Sequence, residues 1–145
     1  MAREILFRGK RMDNGEWVEG YYTCIGDKFH YILVGKLDIA NGYPNFEHYW
    51  VNSETVGQYT GLTDKNSKKI FEGDIVKTKK YGKIIGHSNV NDYDIFKIVY
   101  VPAMFILENH HRGFNLVGNG EDYEVIGNIH DNPELLEAQE CEQQN

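Results

Sequence analysis

Residues 57–76 read GQYTGLTDKNSKKIFEGDIV. Two glycines in this stretch, Gly61 and Gly73, stand where a turning chain commonly needs a positive φ, which glycine adopts without steric cost. Between them, residues 64–67 have the polar composition of a tight turn, because short polar side chains bond to nearby backbone groups. Apolar and aromatic side chains flank this turn on both sides. The stretch therefore predicts a β-hairpin, followed by a new strand from Asp74.

Short apolar runs separated by turn residues continue from this hairpin almost to the end of the chain. The predicted strands cover residues 74–77, 83–87, 94–101 with its continuation 103–108, 114–117 and 123–126. Pro102 interrupts the longest run, since proline cannot donate to a strand ladder. About five short strands at regular spacing are typical of a small SH3-like barrel or a similar curled sheet.

The chain before the central stretch predicts a β meander. Strands are expected over residues 4–8, 16–22 and 29–34, and Asn14-Gly15 favours a type I′ hairpin turn because both residues tolerate a positive φ. Gly26-Asp27 forms the second turn. Residues 36–45 are polar and rich in turn residues, and a further strand follows over residues 46–51. The N-terminal third is thus predicted to be a three-stranded meander.

These patterns define a mainly β fold, of the α+β kind with a short C-terminal helix. Asn132 suits the helix N-cap, Pro133 its first position, and Leu135 and Leu136 its buried side. The predicted regions are 1–56 for the meander, 57–132 for the central stretch and SH3-like sheet or barrel, and 133–145 for the helix and polar tail.

Three parts of the sequence resemble the YopX family of phage and prophage proteins. The central part is carried by residues 57–62, 64–66 and 70–76, the opening by residues 3–9, and the close by residues 124–136. They occur in the family's order and bracket nearly the whole chain. The resemblance implies a mostly β, oligomeric, phage-encoded protein of uncharacterised function, and it implies no catalytic residues.

Composition and charge restrict the class of protein further. The 145 residues carry 41% hydrophobic side chains and a net charge of −7, as in an ordinary globular chain. No run approaches the roughly 20 apolar residues of a membrane span, and the N-terminus lacks the apolar run of a secretory signal. Cys24 and Cys141 are too few for a disulfide framework. We therefore expect a protein in the cytoplasm of the host bacterial cell, with no membrane partner.

Residue patterns that could carry catalysis are weak. His110 and His111 are neighbours and would point to opposite faces of a strand, so we predict no metal site. The pair His87-Ser88 with Asp92 or Asp94 has the residue types of a hydrolase, although proximity in sequence is not triad geometry. Cys24 with His30 is no more informative. No phosphate-binding or dinucleotide motif is present, and no cofactor is expected. The sequence predicts a protein that is not an enzyme.

Lysines and an aromatic residue gather just beyond the central stretch. The candidate nucleic-acid or anion surface consists of Lys77, Lys79, Lys80, Tyr81 and Lys83. Small barrels bind nucleic-acid backbones through lysines and bases through exposed aromatics. The net charge of −7 opposes this interpretation, and eight acidic side chains from Glu121 onward could neutralise the surface.

Self-association is the preferred functional hypothesis. The meander carries many aromatic side chains on strands too few to bury both faces, so it needs a partner. We expect a homo-oligomer formed through residues 1–56, belonging to a phage or prophage accessory or regulatory protein that acts by binding. The sequence names no protein partner. The first alternative is a nucleic-acid-binding small-barrel module, and the second is a hydrolase with an unrecognised site.

Overall fold

The computed structural model describes residues 3–38, 40–89, 91–116 and 118–137. The chain divides into two units, Met1–Tyr59 and Thr60–Asn145. The division falls within a strand, Gly57–Thr63, whose first residues belong to the first unit. The three predicted regions, with boundaries after residues 56 and 132, stay a prediction.

The first unit is an antiparallel meander. Its strands are β1 (Phe7–Lys10), β2 (Trp17–Ile25), β3 (Phe29–Asp38) and β4 (Tyr43–Trp50), followed by a short 3-10 turn (Ser53–Thr55) and the start of β5 (Gly57–Thr63). The strand order is β4-β3-β2-β1-β5. The meander therefore contains four consecutive antiparallel strands, with β5 returning beside β1.

The three predicted strands form an antiparallel meander, and the strand predicted over residues 46–51 extends it to four. The polar, turn-rich segment expected over residues 36–45 is instead largely strand. Strand β3 continues to Asp38 and β4 begins at Tyr43, where those two residues pair. Gly42 has φ 69, so the reversal is confined to a few residues, and the backbones of Lys36 and Asn45 pair within the ladder. Backbone pairing between long strands has overridden the turn-like composition of this segment.

The first turn also differs from its prediction. Strand pairing ends at Lys10 and Trp17, which leaves six residues in the loop. Only Gly15 in that loop has a positive φ, of 72, and its N–H bonds to the Arg11 carbonyl at 2.9 Å. A type I′ turn requires positive φ at both central residues, so the predicted tight Asn14-Gly15 turn is a wider one.

The second unit is built on a sheet of five antiparallel strands in the order β10-β9-β8-β7-β11. After the end of β5 its elements are β6 (Lys69–Phe71), β7 (Asp74–Thr78), α1 (Gly82–Ile85), β8 (Asp94–Val101), β9 (Met104–Glu108), β10 (Gly113–Asn115), a 3-10 turn (Gly120–Asp122) and β11 (Glu124–Asn128). Residues 134–137 are helical, as the sequence predicts. The predicted polar tail, 138–145, lies outside the described residues.

The prediction of a mainly β fold with a short C-terminal helix is confirmed. The sheet of the second unit is open, because its edge strands β10 and β11 pair only with β9 and β7 among the described residues. The small barrel that the sequence offered as one form of this region is therefore not closed. Likeness to an SH3 sheet stays a prediction.

The apolar core of the second unit fills one side of this sheet. Its buried side chains come from β6, β7, β8 and β9 and from the segments before α1 and β11: Ile70, Val76, Tyr81, Phe96, Ile98, Leu107 and Tyr123. Two of them meet at their hydroxyls, since Tyr81 Oη lies 3.1 Å from Tyr123 Oη. Burial raises the pKa of the Tyr123 phenol far above its ordinary range.

Two local predictions in the second unit have different outcomes. Residues 83–87 were expected to form a strand, but Gly82–Ile85 form one helical turn that ends at Gly86 with φ 90. A glycine in this left-handed conformation ends the helix by satisfying its last carbonyls. The break at Pro102 is confirmed, and the structure shows that it is a hairpin, in which Ala103 has φ 73 and Val101 pairs with Met104.

In the described part of the chain, the helices are all too short or too polar to cross a membrane.

Candidate functional site

The central stretch is held together by two buried carboxylates. Asp64 is 4% exposed, and its Oδ1 accepts hydrogen bonds from the backbone N–H groups of Asn66 and Lys68 at 2.8 and 2.9 Å. Its Oδ2 accepts from the N–H of Val125 in β11 at 2.9 Å. Burial raises the pKa of Asp64, but the three N–H donors outweigh it and hold that pKa below its ordinary value.

Asp74 has the same role at the turn that follows. It is 1% exposed, and its Oδ2 accepts a hydrogen bond from the N–H of Phe71 at 2.7 Å. Gly73, with φ 88, makes the sharp turn that brings Phe71 and Asp74 together. Asp64 and Asp74 therefore fix turns of the central stretch, and the candidate surface lies beside them.

An open depression of about 370 Å³ lies next to the central stretch in the second unit. We call it the basic depression and define it by the side chains of Lys65, Lys77, Lys79, Lys80, Tyr93, Asp122 and Glu124. Backbone pairing assembles it. Lys77 of β7 stands opposite Glu124 of β11, and the N–H of Lys65 bonds to the Tyr123 carbonyl at 3.0 Å.

Carboxylates hold three of the four lysines. Glu124 Oε2 lies 3.0 Å from Lys65 Nζ and 3.2 Å from Lys77 Nζ, while Asp122 Oδ2 lies 3.2 Å from Lys80 Nζ. The hydrogen bonds from Lys65 and then Lys77 lower the pKa of Glu124, and the bond to Glu124 raises the pKa of Lys65. Glu124 and Lys65 are thus both charged at neutral pH.

Tyr93 supplies the aromatic surface of the basic depression. Its side chain is 48% exposed, just before β8. Two ammonium groups lie over its ring, Lys77 Nζ at 4.7 Å and Lys79 Nζ at 4.6 Å from the ring centroid. These are cation–π distances. An exposed ring and cations on flexible stems thus occupy one small site.

The structure brings together three of the five candidate residues that the sequence proposed. Lys77, Lys79 and Lys80 line the basic depression. Tyr81 lies instead in the core, 7% exposed, with its ring stacked on Phe114 at a centroid distance of 4.2 Å. Lys83 is an exposed residue of α1 and does not line the depression.

Among the basic and aromatic residues of this site, the sequence analysis did not select Lys65 and Tyr93. Lys65 lies in the turn of the central hairpin, and Tyr93 lies directly before the predicted strand 94–101, outside every predicted strand. One feature of the sequence is consistent with exposure of Tyr93. It lies in a polar segment, two residues after Asn91 and directly before the strand-forming run 94–101, and a large aromatic residue in such a segment need not be buried.

The first unit carries a second candidate surface. Five large apolar side chains of β2, β3 and β4 are about half exposed: Tyr21 (58%), Ile25 (61%), Phe29 (48%), Phe46 (49%) and Trp50 (49%). The strand register puts all five on one side of the sheet, because cross-strand partners share a face and alternate residues of a strand do so too. We call this surface the apolar face.

The opposite side of the same strands is the buried one. Ile32 of β3 is fully buried, between its register partners Tyr22 and Tyr49. Gly20 lies so close to β3 that an added Cβ would stand 2.1 Å from the Leu33 carbonyl oxygen. The usual alternation of apolar and polar residues would put polar side chains opposite this buried side. Large apolar residues occupy that place instead.

The residues of the hydrolase hypothesis are partly brought together. His87 Nε2 lies 2.8 and 2.9 Å from the two carboxylate oxygens of Asp94, which is 1% exposed. This pair joins the segment after α1 to the start of β8. In the first unit, His30 Nδ1 lies 2.6 Å from Tyr22 Oη, and His30 Nε2 lies 3.9 Å from Cys24 Sγ. Cys141 lies outside the described residues.

Metal-ligating side chains are dispersed in the described part of the chain, where no group of three or more His, Cys, Asp or Glu could hold an ion.

The fold and its surfaces define a mainly β protein of two units, one with an exposed apolar sheet face and the other with a basic depression. The chain belongs to the YopX family, whose model, described as "YopX protein", matches residues 6–137. It is also similar to the crystal structure of protein EF1440 from Enterococcus faecalis, with 26% sequence identity and a TM-score of 0.53. That likeness covers 93% of this chain and 99% of the other. No curated protein matches the sequence.

Proposed function

We propose that this protein acts by binding and self-association, not by catalysis, and that two copies associate through the apolar face. The observation that carries the proposal is the concentration of five half-exposed large apolar side chains on one side of β2, β3 and β4. Single exposed apolar residues are normal on a protein surface, whereas a contiguous group of them marks an interaction site.

The size of the apolar face suits a second copy of the chain. Four of its five side chains are aromatic, and an aromatic side chain buries about 150–250 Å² when fully covered, so the four half-exposed rings leave on the order of 400 Å². A standard interface takes about 800 Å² from each partner. The rings alone thus supply about half of the area that a stable dimer needs, and Ile25 and the polar residues around the face add to it.

The geometry of a sheet face also suits self-association. Two copies of one sheet can pack face to face at about 10 Å, as the layers of a β-sandwich do. In a two-fold dimer the same patch is used by both copies, so one apolar face satisfies both. The dimer therefore requires no second surface that is complementary in shape to the apolar face.

Family membership supports the wider biological setting of the proposal. The YopX resemblance implies a phage or prophage protein, and we extend it to an accessory or regulatory factor that acts in the cytoplasm of the host bacterial cell.

Substitution of Ile25 by lysine tests the proposal. Ile25 is 61% exposed, so Ile25→Lys removes apolar contact area and introduces a charge without opening the core. We expect the variant to sediment as a smaller species than the unmodified protein at the same micromolar concentration. The matched control is Ile84→Lys, the same change at a side chain of the second unit that is 68% exposed.

The control variant should sediment like the unmodified protein. Equal sedimentation of Ile25→Lys and the unmodified protein, with circular dichroism showing both folded, would contradict the assignment of the apolar face.

A further inference from the structure

We propose that the basic depression binds single-stranded nucleic acid, with Tyr93 stacking on an unpaired base and the surrounding lysines holding the flanking phosphates. This inference goes beyond self-association and uses residues of the second unit alone. It differs from the surface that the sequence indicated, because Tyr93 replaces Tyr81 as the aromatic residue and Lys65 joins the cations.

The Tyr93 ring can exchange its contacts with lysine for a contact with a nucleic-acid base. Lys77 and Lys79 cover the Tyr93 ring at 4.7 and 4.6 Å. A cation–π contact at an exposed site is worth about 0.5–1 kcal/mol, whereas base stacking on an aromatic side chain is worth about 1–3 kcal/mol. A base can therefore displace an ammonium from the ring. The flexible lysine stem then carries the charge to a neighbouring phosphate.

The carboxylates of the site hold the lysines in place before a ligand arrives. Glu124 and Asp122 pair with Lys65, Lys77 and Lys80 at 3.0–3.2 Å. Exposed ion pairs contribute little free energy, so phosphates can take over the lysines at small cost. The carboxylates also weaken attraction to any polyanion that offers charge alone, which adds to the effect of the net charge of −7.

Size and chemistry favour a single strand over a duplex. The depression has a volume of about 370 Å³, close to the lower end of small-ligand pockets and suited to one nucleotide unit. Stacking on Tyr93 requires a base that is not already stacked and paired within a helix. The carboxylates of an acidic peptide could pair with the lysines, but such a peptide has no base to stack on the Tyr93 ring.

Fluorescence anisotropy of labelled oligothymidylate and oligouridylate tests the proposal on the full chain. We expect binding at low salt, with a duplex of equal length bound more weakly. Tyr93→Ala should weaken single-strand binding about tenfold, in line with the loss of one stacked base. Its matched control is Tyr100→Ala, because Tyr100 is similarly exposed at 51% but lies away from the depression.

Charge variants test the lysines separately. Lys79→Gln should reduce the slope of log affinity against log salt by about 0.7, the value for one phosphate contact on a single strand. Lys28→Gln, a change at an exposed lysine of the first unit, should leave the slope unchanged. Glu124→Gln should tighten binding, since it releases Lys65 and Lys77 from their shared carboxylate.

Three results would overturn the inference: no binding of either oligonucleotide at low salt, equal affinity of the Tyr93→Ala variant and the unmodified protein, or equal affinity for single strand and duplex. Competition by polyglutamate as strong as that by unlabelled oligonucleotide would also overturn it, because it would assign the depression to an acidic protein segment. The Ile25→Lys variant should bind short oligonucleotides normally, so failure here is distinguishable from failure of the self-association proposal.

Discussion

Asp64 is the residue on which the turn of the central hairpin depends. Its carboxylate accepts three backbone N–H groups, two from its own turn and one from Val125, which lies 61 residues further along the chain. Removing a buried acceptor leaves its donors unsatisfied, at about 1–3 kcal/mol each. A single side chain thus joins a local turn to β11 of the same unit.

We expect Asp64→Ala to lower the free energy of unfolding by about 3 kcal/mol, since three donors lose their acceptor and only some regain water. Urea denaturation followed by circular dichroism measures this change. Asp92→Ala is the control, because Asp92 is exposed and its removal should change the unfolding free energy little. A loss at Asp64 no larger than that at Asp92 would contradict the role of its three bonds.

The Asp64 carboxylate also makes the free energy of unfolding depend on pH. The folded-state pKa of Asp64 lies below its ordinary value of 3.8, so its contribution is complete above that value and is lost as the pH falls through the folded pKa. The stability difference between the unmodified protein and Asp64→Asn should therefore shrink below about pH 4. A difference that stays constant down to about pH 2 would show that the carboxylate charge contributes nothing.

At the scale of elements, the turn between β6 and β7 depends on backbone conformation. Gly73 has φ 88, a conformation that costs a residue with a Cβ about 1–2 kcal/mol. Gly73→Ala should lower the unfolding free energy by that amount in a denaturant titration. Gly35→Ala is the matched control, since its added Cβ would meet the Phe46 ring at an ordinary 3.5 Å. Equal losses in the two variants would contradict a conformational requirement at Gly73.

Most strands could be predicted because their apolar runs and turn residues are local signals. Residues 94–101 form β8 with the predicted bounds, and the hairpin around residues 64–67 has the predicted position. The wrong predictions fall where contacts with other parts of the chain, and not the local sequence, decide the structure. Residues 83–87 contain two isoleucines that favour a strand, but Ile84 is 68% exposed and Gly86 ends a helical turn there.

Burial of single aromatic residues was the least predictable property at this scale. Tyr81 and Tyr93 both lie among charged or polar neighbours in the sequence, and neither neighbourhood reveals which ring is covered. Tyr81 is buried because Phe114, 33 residues later, stacks on it. Tyr93 stays exposed beside two lysines of β7 and its following turn. Only the contact of Tyr81 with β10, far along the chain, separates the core residue from the surface residue.

For the whole molecule, the two units carry surfaces of different chemistry. The first unit exposes the apolar face, which the sequence anticipated only as a region, residues 1–56, because register is needed to show that the side chains share one side. The second unit carries the basic depression, which the sequence indicated through Lys77, Lys79 and Lys80. We propose a different partner for each surface: a second copy of the chain for the apolar face and single-stranded nucleic acid for the basic depression.

The molar mass of the unmodified protein in solution tests the central claim most directly. One chain has a mass of 16.8 kDa, and we expect light scattering at micromolar concentration to give at least twice that value, falling towards the monomer on dilution. A mass of 16.8 kDa at every micromolar concentration measured would contradict self-association through the apolar face.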